Sequence, residues 1–167
     1  MKAHSFIYLI IYSCFIMSVS LQAQEHFADR YNVSYITMDD GLPHNFIDDI
    51  YKDTRGFLWI STAGGGLSRY DGYEFIHFNP NTPHSKLKSN FIHNVYEDRF
   101  HRLWIVSEGG TDIIDLSTLQ SVIPNDPKGL LPRFINHPTY IVILDSQGCI
   151  WLQCDNALHR ITFDAEG

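Results

Sequence analysis

Three tryptophans set the frame of this chain: Trp59, Trp104 and Trp151 stand 45 and 47 residues apart. Around the first two the likeness is long. Asn45–Ser61, NFIDDIYKDTRGFLWIS, overlays Asn90–Val106, NFIHNVYEDRFHRLWIV, with the Asn-Phe-Ile start, the Tyr-x-Asp centre and the Leu-Trp-Ile end in common. A weaker third copy, Ile143–Gln153, places Asp145 on Asp98 and Trp151 on Trp104. Self-similarity at roughly 40–50 residues, with about four strands per unit, is the signature of propeller blades.

The first unit shows why the elements are strands. Phe46–Tyr51, Phe57–Thr62, Leu67–Tyr70 and Tyr73–Phe78 are short apolar or aromatic runs. They are separated by Asp53-Thr54-Arg55-Gly56, Gly64-Gly65-Gly66 and Asp71-Gly72, and the last ends at Asn79-Pro80. Runs of this length between Gly- and Asp-rich turns describe an antiparallel meander. Asp71-Gly72 predicts a type I′ hairpin, which needs positive φ at both central residues. Asp53…Gly56 predicts a type I turn closed by a glycine at positive φ. No stretch keeps a helical period, so the mature chain reads as all-β: a partial β-propeller of about three four-stranded antiparallel blades, an incomplete ring. The predicted organisation is a lead-in strand and loop over 24–44, blade 1 over 45–80, blade 2 over 90–123 and an incomplete blade 3 over 139–167. Tyr31–Met38 alternates and is the predicted lead-in strand. Asn79–Ser89 and the proline-rich Pro124–Pro138 join the units.

Residues 1–23 read as a signal peptide. Lys2 is followed by the apolar run Phe6–Val19 and by Leu21-Gln22-Ala23, a plausible cleavage site. The apolar run is short for a membrane span, which takes about 20 residues, and an uncleaved anchor is the minor alternative. Export to the periplasm is the expected location. Cleavage removes one positive charge and no acid, taking the net charge from −7 to −7 − 1 = −8. A mildly acidic chain without a basic cluster argues against nucleic acid and against an anionic membrane surface. The remaining cysteines, Cys149 and Cys154, are five apart; on one extended strand they point to opposite faces, which disfavours a bridge.

These residues resemble the two-component regulator propeller family. Gly41-Leu42-Pro43-His44-Asn45-Phe46-Ile47 is similar to its lead-in, and Asp53–Thr62 with Gly66–Gly72 is similar to its blade. Ser61 stands where the family usually has glycine, and the second and third units keep mainly the Asp and Leu/Ile-Trp-Ile/Leu core. The repeat positions are Asp53, Gly56, Trp59, Gly66, Tyr70, Asp71 and Gly72, then Asp98 and Trp104, then Asp145, Gly148 and Trp151. The resemblance implies a periplasmic input region of a Bacteroidetes hybrid histidine kinase, many of which respond to glycan-derived oligosaccharides. It implies further blades and a membrane-bound histidine kinase region as partners in a full-length protein, of which this chain would be an N-terminal piece lacking the kinase.

Enzymatic signatures are missing from the sequence. Ala63-Gly64-Gly65-Gly66 has no following Lys-Ser/Thr and sits between strands, so it reads as a turn and not as a phosphate loop. There is no Gly-x-Ser-x-Gly elbow and no His-Glu-x-x-His helix. The pairs Asp39/Asp40 and Asp48/Asp49 are adjacent, so on a strand they diverge; they read as solvated charges and not as a catalytic dyad. His44, His84, His93 and His101 lack ligand-like spacing. No catalytic residue, metal or cofactor is expected. The tryptophans read as packing residues between blades. Candidates for an oligosaccharide ligand are loop groups able to stack on sugar rings or bond their hydroxyls: His44, Asn45, Arg69, Tyr73 and His93. A fragment of a secreted propeller enzyme, a lyase or glycoside hydrolase, is the alternative. Blade faces left uncovered in an incomplete ring predict self-association through open edges.

Overall fold

In the computed structural model, residues 32–83, 86–126, 129–140 and 142–164 are described. The predicted signal peptide, 1–23, lies outside them, as does His84. The chain divides into two units, Met1–Tyr35 and Ile36–Gly167. Of the first only residues 32–35 are described, and they are exposed coil.

The second unit holds three antiparallel sheets in chain order. Sheet 1 is β1 (Ile47–Lys52), β2 (Leu58–Thr62), β3 (Gly66–Tyr70) and β4 (Phe75–Phe78), paired in sequence order. Sheet 2 is β5 (Ile92–Glu97), β6 (Arg102–Ser107) and β7 (Gly110–Asp115). Sheet 3 is β8 (Val142–Leu144), β9 (Ile150–Cys154) and β10 (Ala157–Ile161). The fold is all-β, as the repeats predict, with three open meanders. Registers repeat: Tyr51 opposes Trp59 in sheet 1, Tyr96 opposes Trp104 in sheet 2, and Ile143 opposes Trp151 in sheet 3. β1 and β5 carry matching register shifts, which leave Asp48 and His93 as the extra residues of two β-bulges.

Strand alternation makes the core. In β6, buried at every position, Leu103 and Ile105 point to one side and Trp104 and Val106 to the other. Leu103 and Ile105 join Trp59, Leu67 and Phe78 of sheet 1. Trp104 and Val106 join Ile150, Leu152 and Cys154 of sheet 3. Sheet 2 is therefore covered on both faces, and its neighbours supply the covers. Polar groups also cross the first boundary. The Asp49 carboxylate accepts from the Val95 amide at 3.1 Å, and buried Glu97 accepts from the Thr54 amide and hydroxyl, each at 2.6 Å.

Several expectations need correction. The predicted lead-in strand is not seen among its described residues: 32–37 are coil with no strand pairing, and Met38–Asp40 is a single 3-10 turn. Thr37 and Asp40 form a capping box, and the turn ends at Gly41 with φ +104°. Alternation favours a strand only where an edge is there to pair with it, and here the local cap closes the chain instead. The Asp71-Gly72 hairpin is not type I′. Tyr70 pairs with Phe75 across a four-residue loop, and only Gly72 has positive φ. The Asp71 carboxylate, accepting from the Tyr73 and Glu74 amides at 2.8 Å, shapes this wider turn. Those two amides, Glu74 first, hold its carboxyl below the ordinary range.

Sheet 2 has three strands and not four. Beyond β7 the Asp115 carboxylate binds the Ser117 and Thr118 amides and the Ser117 hydroxyl, so the chain curls at once. Only the bridge Ile114–Ser121 stands where a fourth strand would run. Sheet 3 likewise has three strands. The connection Pro124–Pro138 contains a short helix, α1 (Leu131–Ile135), with proline in its first turn and Leu131 and Phe134 in the second core cluster. Two predicted turns hold. Gly56 has φ +96°, and its amide donates to the Asp53 carbonyl at 3.0 Å. The glycine triplet is a hairpin, where a Cβ at Gly65 would collide with Thr62 and Pro43. Cys149 and Cys154 are free thiols, and burial pushes the Cys154 thiol up.

Candidate functional site

Each sheet has a turn end, after its first strand, and a leading end, where the chain enters that strand. The turn end is built by one carboxylate per repeat. In sheet 1 Asp53 accepts from the amides of Arg55 and Phe57 and, at 2.8 Å, from the Trp59 indole. Asp98 does the same for Phe100, Arg102 and Trp104, the indole at 2.9 Å. Asp145 does so for Gln147, Cys149 and Trp151, the indole at 2.8 Å. The aspartate thus folds the turn and orients the ring that the turn delivers, through a spacing of six residues. The indole and the Cys149 amide hold the Asp145 carboxyl below the ordinary range. Asp98 is also paired with the Arg102 guanidinium at 2.7 Å, out of solvent. These acids are committed to structure.

The leading end is different. Phe46 and Phe91 stand immediately before β1 and β5, and Tyr140 two residues before β8. All three rings are outside the core, 63, 51 and 55 % exposed. His93, the bulge residue of β5, lies 5.7 Å from Tyr140 between ring centroids. Among the described residues four buried polar atoms here find no hydrogen-bond partner: Thr62 Oγ1, Asn90 Oδ1, His93 Nε2 and Thr111 Oγ1. Beside Tyr140 is an open cavity of about 380 Å³, walled also by Pro138, Gln153, Cys154, Asp155 and Asn156. A larger cleft of about 700 Å³ follows the outer edge of β10 against α1, lined in part by Leu131, Phe134 and Ile161 of the core cluster. Among the described residues no cluster of three His, Cys, Asp or Glu could hold a metal ion, and no helix is long and apolar enough to cross a membrane.

Residues 41–64 and 86–109 match the two component regulator propeller family. These two stretches are two component regulator propeller repeats. They cover the leading end, the first two strands and the Asp–Trp turn of blades 1 and 2. No curated protein matches the chain. Among solved structures, the chain is similar to the extracellular domain of the hybrid two component system BT4673 from B. thetaiotaomicron, with 26% identity and a TM-score of 0.59 over 78% of this chain and 19% of that one. A second BT4673 structure, named there as a one component system, gives 24% identity and a TM-score of 0.59 over 78% and 19%. The extracellular domain of the hybrid two component system BT3049, from the same organism, gives 23% and 0.58 over 71% and 17%. The chain spans less than a fifth of the length of each of these structures.

The propeller architecture distributes the ligand candidates unevenly. His44 and Asn45 are at the leading end of blade 1, each with a local partner: His44 Nδ1 accepts from the Phe46 amide and Asn45 Oδ1 from the Met38 amide, both at 3.0 Å. His93 is at the leading end of blade 2, inside a strand and not on a loop. Arg69 is also in a strand, between Trp59 and Ile76, with its guanidinium 4.4 Å from the centre of the Phe57 ring. Tyr73 is almost fully exposed at the turn end. The structure brings His93 to Tyr140 and leaves Arg69 and Tyr73 apart from them. Sequence reasoning missed Phe46, Phe91 and Tyr140. The repeated Asn-Phe-Ile marks Phe46 and Phe91, while Tyr140 follows Pro138-Thr139 and carries no such repeat.

Proposed function

We propose that these blades belong to the sensory region of a two-component system, exported to the periplasm, and that they recognise an oligosaccharide released from a glycan. The propeller repeats carry this reading, supported by the 26% identity to the extracellular domain of a hybrid two component system. Occupancy is passed through further blades to a membrane-bound histidine kinase region. The chain works by binding and not by turnover: the repeated aspartates are spent on turns and indoles.

Isothermal titration of the full chain against oligosaccharide pools from plant and host glycans, with a reducing-end assay on the same mixtures, tests this. Saturable heat without new reducing ends is expected. New reducing ends, or no binding to any pool, reject the reading.

A further inference from the structure

We infer that blades 1 and 3 carry the two halves of an interface between copies of this chain. Blade 3 of one copy packs face-on against blade 1 of the other, and two copies close one ring. The two boundaries inside the chain show what such an interface needs. At each, the tryptophan of one blade clusters with three aliphatic residues of the blade that follows. Trp59 is grouped with Val95, Leu103 and Ile105, and Trp104 with Val142, Ile150 and Leu152. The two aliphatic sockets occupy the same repeat positions, 47 residues apart, and no socket residue is more than 1 % exposed.

Blade 1 carries a third copy of this socket. Ile50, Leu58 and Ile60 stand 45 residues before Val95, Leu103 and Ile105, and Ile50 opposes Ile60 as Val95 opposes Ile105. None of the three belongs to either core cluster. Ile60 is buried, but Leu58 is only half-buried and Ile50 is 59 % exposed.

Blade 3 carries the tryptophan face that such a socket takes. Trp151 is half-buried, and exposed Ile143 opposes it across β8 and β9. Leu158 opposes Gln153, two residues beyond Trp151, as Leu67 opposes Ser61, two residues beyond Trp59. Leu67 is fully buried against blade 2, whereas Leu158 is 68 % exposed. Aliphatic and aromatic positions that are covered at both internal boundaries are thus open on the two outer blades, and the open faces are complementary halves of the same packing.

The stoichiometry follows from the faces. They differ from each other, so the contact is head-to-tail, and such a contact either closes into a ring or grows into an open filament. Closed propellers have about four to eight blades. One copy brings three sheets, two bring six and three bring nine, so only a pair of copies falls in that range. The association runs through sheet faces and not through unpaired strand edges. It goes beyond the sensory reading and needs no ligand.

Sedimentation equilibrium of the full chain, from about 1 to 100 μM, tests this. A species of twice the chain mass, and none larger, is expected. Ile50→Arg and Leu158→Arg each put a charge into both junctions and should raise the dissociation constant about a hundredfold or more. An equimolar mixture of these two variants regains a dimer, because one junction then joins an unaltered blade 3 to an unaltered blade 1. Ile123→Arg, at an exposed residue outside both faces, leaves the mass unchanged. Unfolding midpoints of the dilute, dissociated variants match wild type, because both side chains are exposed in the single chain. A monomer at every concentration, a mass that keeps growing, a dimer that survives Ile50→Arg, a mixture that stays monomeric, or an equal loss in Ile123→Arg overturns the interface. Each of these leaves the sensory reading standing.

Discussion

Trp59 and Trp151 make the same hydrogen bond, 2.8 Å from the indole nitrogen to an aspartate six residues earlier, in different surroundings. Trp59 is fully buried, with Val95, Leu103 and Ile105 of the following sheet against it. Trp151 is half-buried, and the Arg160 guanidinium lies 5.5 Å from the centre of its ring. The bond is a local property, set by turn chemistry within seven residues of chain. Burial is supplied from about forty residues away by another sheet. Local geometry can therefore be complete where packing is not, and the two contributions can be separated by substitution.

The largest effect should come from the ring itself. Trp104→Ala or Trp59→Ala is expected to cost about 3–5 kcal/mol, as for large aromatic truncations in cores, and Trp151→Ala less than half of that. Urea unfolding of the full chain measures the difference, and equal losses at all three positions would break the separation. Next comes the buried ion pair. Asp98→Ala removes the carboxylate that the buried Arg102 guanidinium is paired with and should cost about 3 kcal/mol. Asp53→Ala, which removes an acceptor without stranding a charge, should cost about 2 kcal/mol. A smaller effect is expected at the turn. Gly56→Ala forces φ +96° on a residue with a Cβ, in open space, and should cost about 1 kcal/mol.

The smallest effect concerns Asp145. Its folded carboxyl titrates below the ordinary range, because the Trp151 indole and the Cys149 amide bond its charged form. Its contribution is therefore fully present above about pH 4 and is lost as pH falls through the lower folded value. Asp145→Asn should lower stability slightly at neutral pH and flatten its decline below about pH 4, so that the two chains converge in acid, read from acid-unfolding curves.

Much of the fold was legible because it is repeated and local. Every blade carries Asp, a turn and Trp at constant spacing, and the strands follow from alternation between those turns. What the sequence hid was decided by partners. Tyr31–Met38 alternates as a strand would, yet residues 32–37 pair with no strand. Asp71-Gly72 has hairpin composition, yet its carboxylate supports a wider loop. The two-residue turn with both φ values positive is Asp155-Asn156, at +51° and +57°, which lacks the glycine that marks such a turn in a sequence. In the candidate site, His44 and Asn45 were readable as polar loop residues, while their partners within the backbone were not. The exposure of Phe91 depends on what a neighbouring hairpin leaves uncovered. Its ring lies against Gly64, 3.7 Å from where a Cβ would sit, and half of it remains in water.

The clamp between blades 1 and 2 bears on the order in which the protein is made. Thr54 and Arg55 emerge from the ribosome well before Glu97 and Leu116, the residues that receive their hydrogen bonds. Blade 1 can pair its own strands as soon as Phe78 is out. Its indole-bearing face and its turn then wait on roughly forty more residues, several seconds at ordinary rates of synthesis. A nascent chain paused between Phe78 and Arg102 would present a finished sheet with an uncovered face, the form in which a chaperone would meet it.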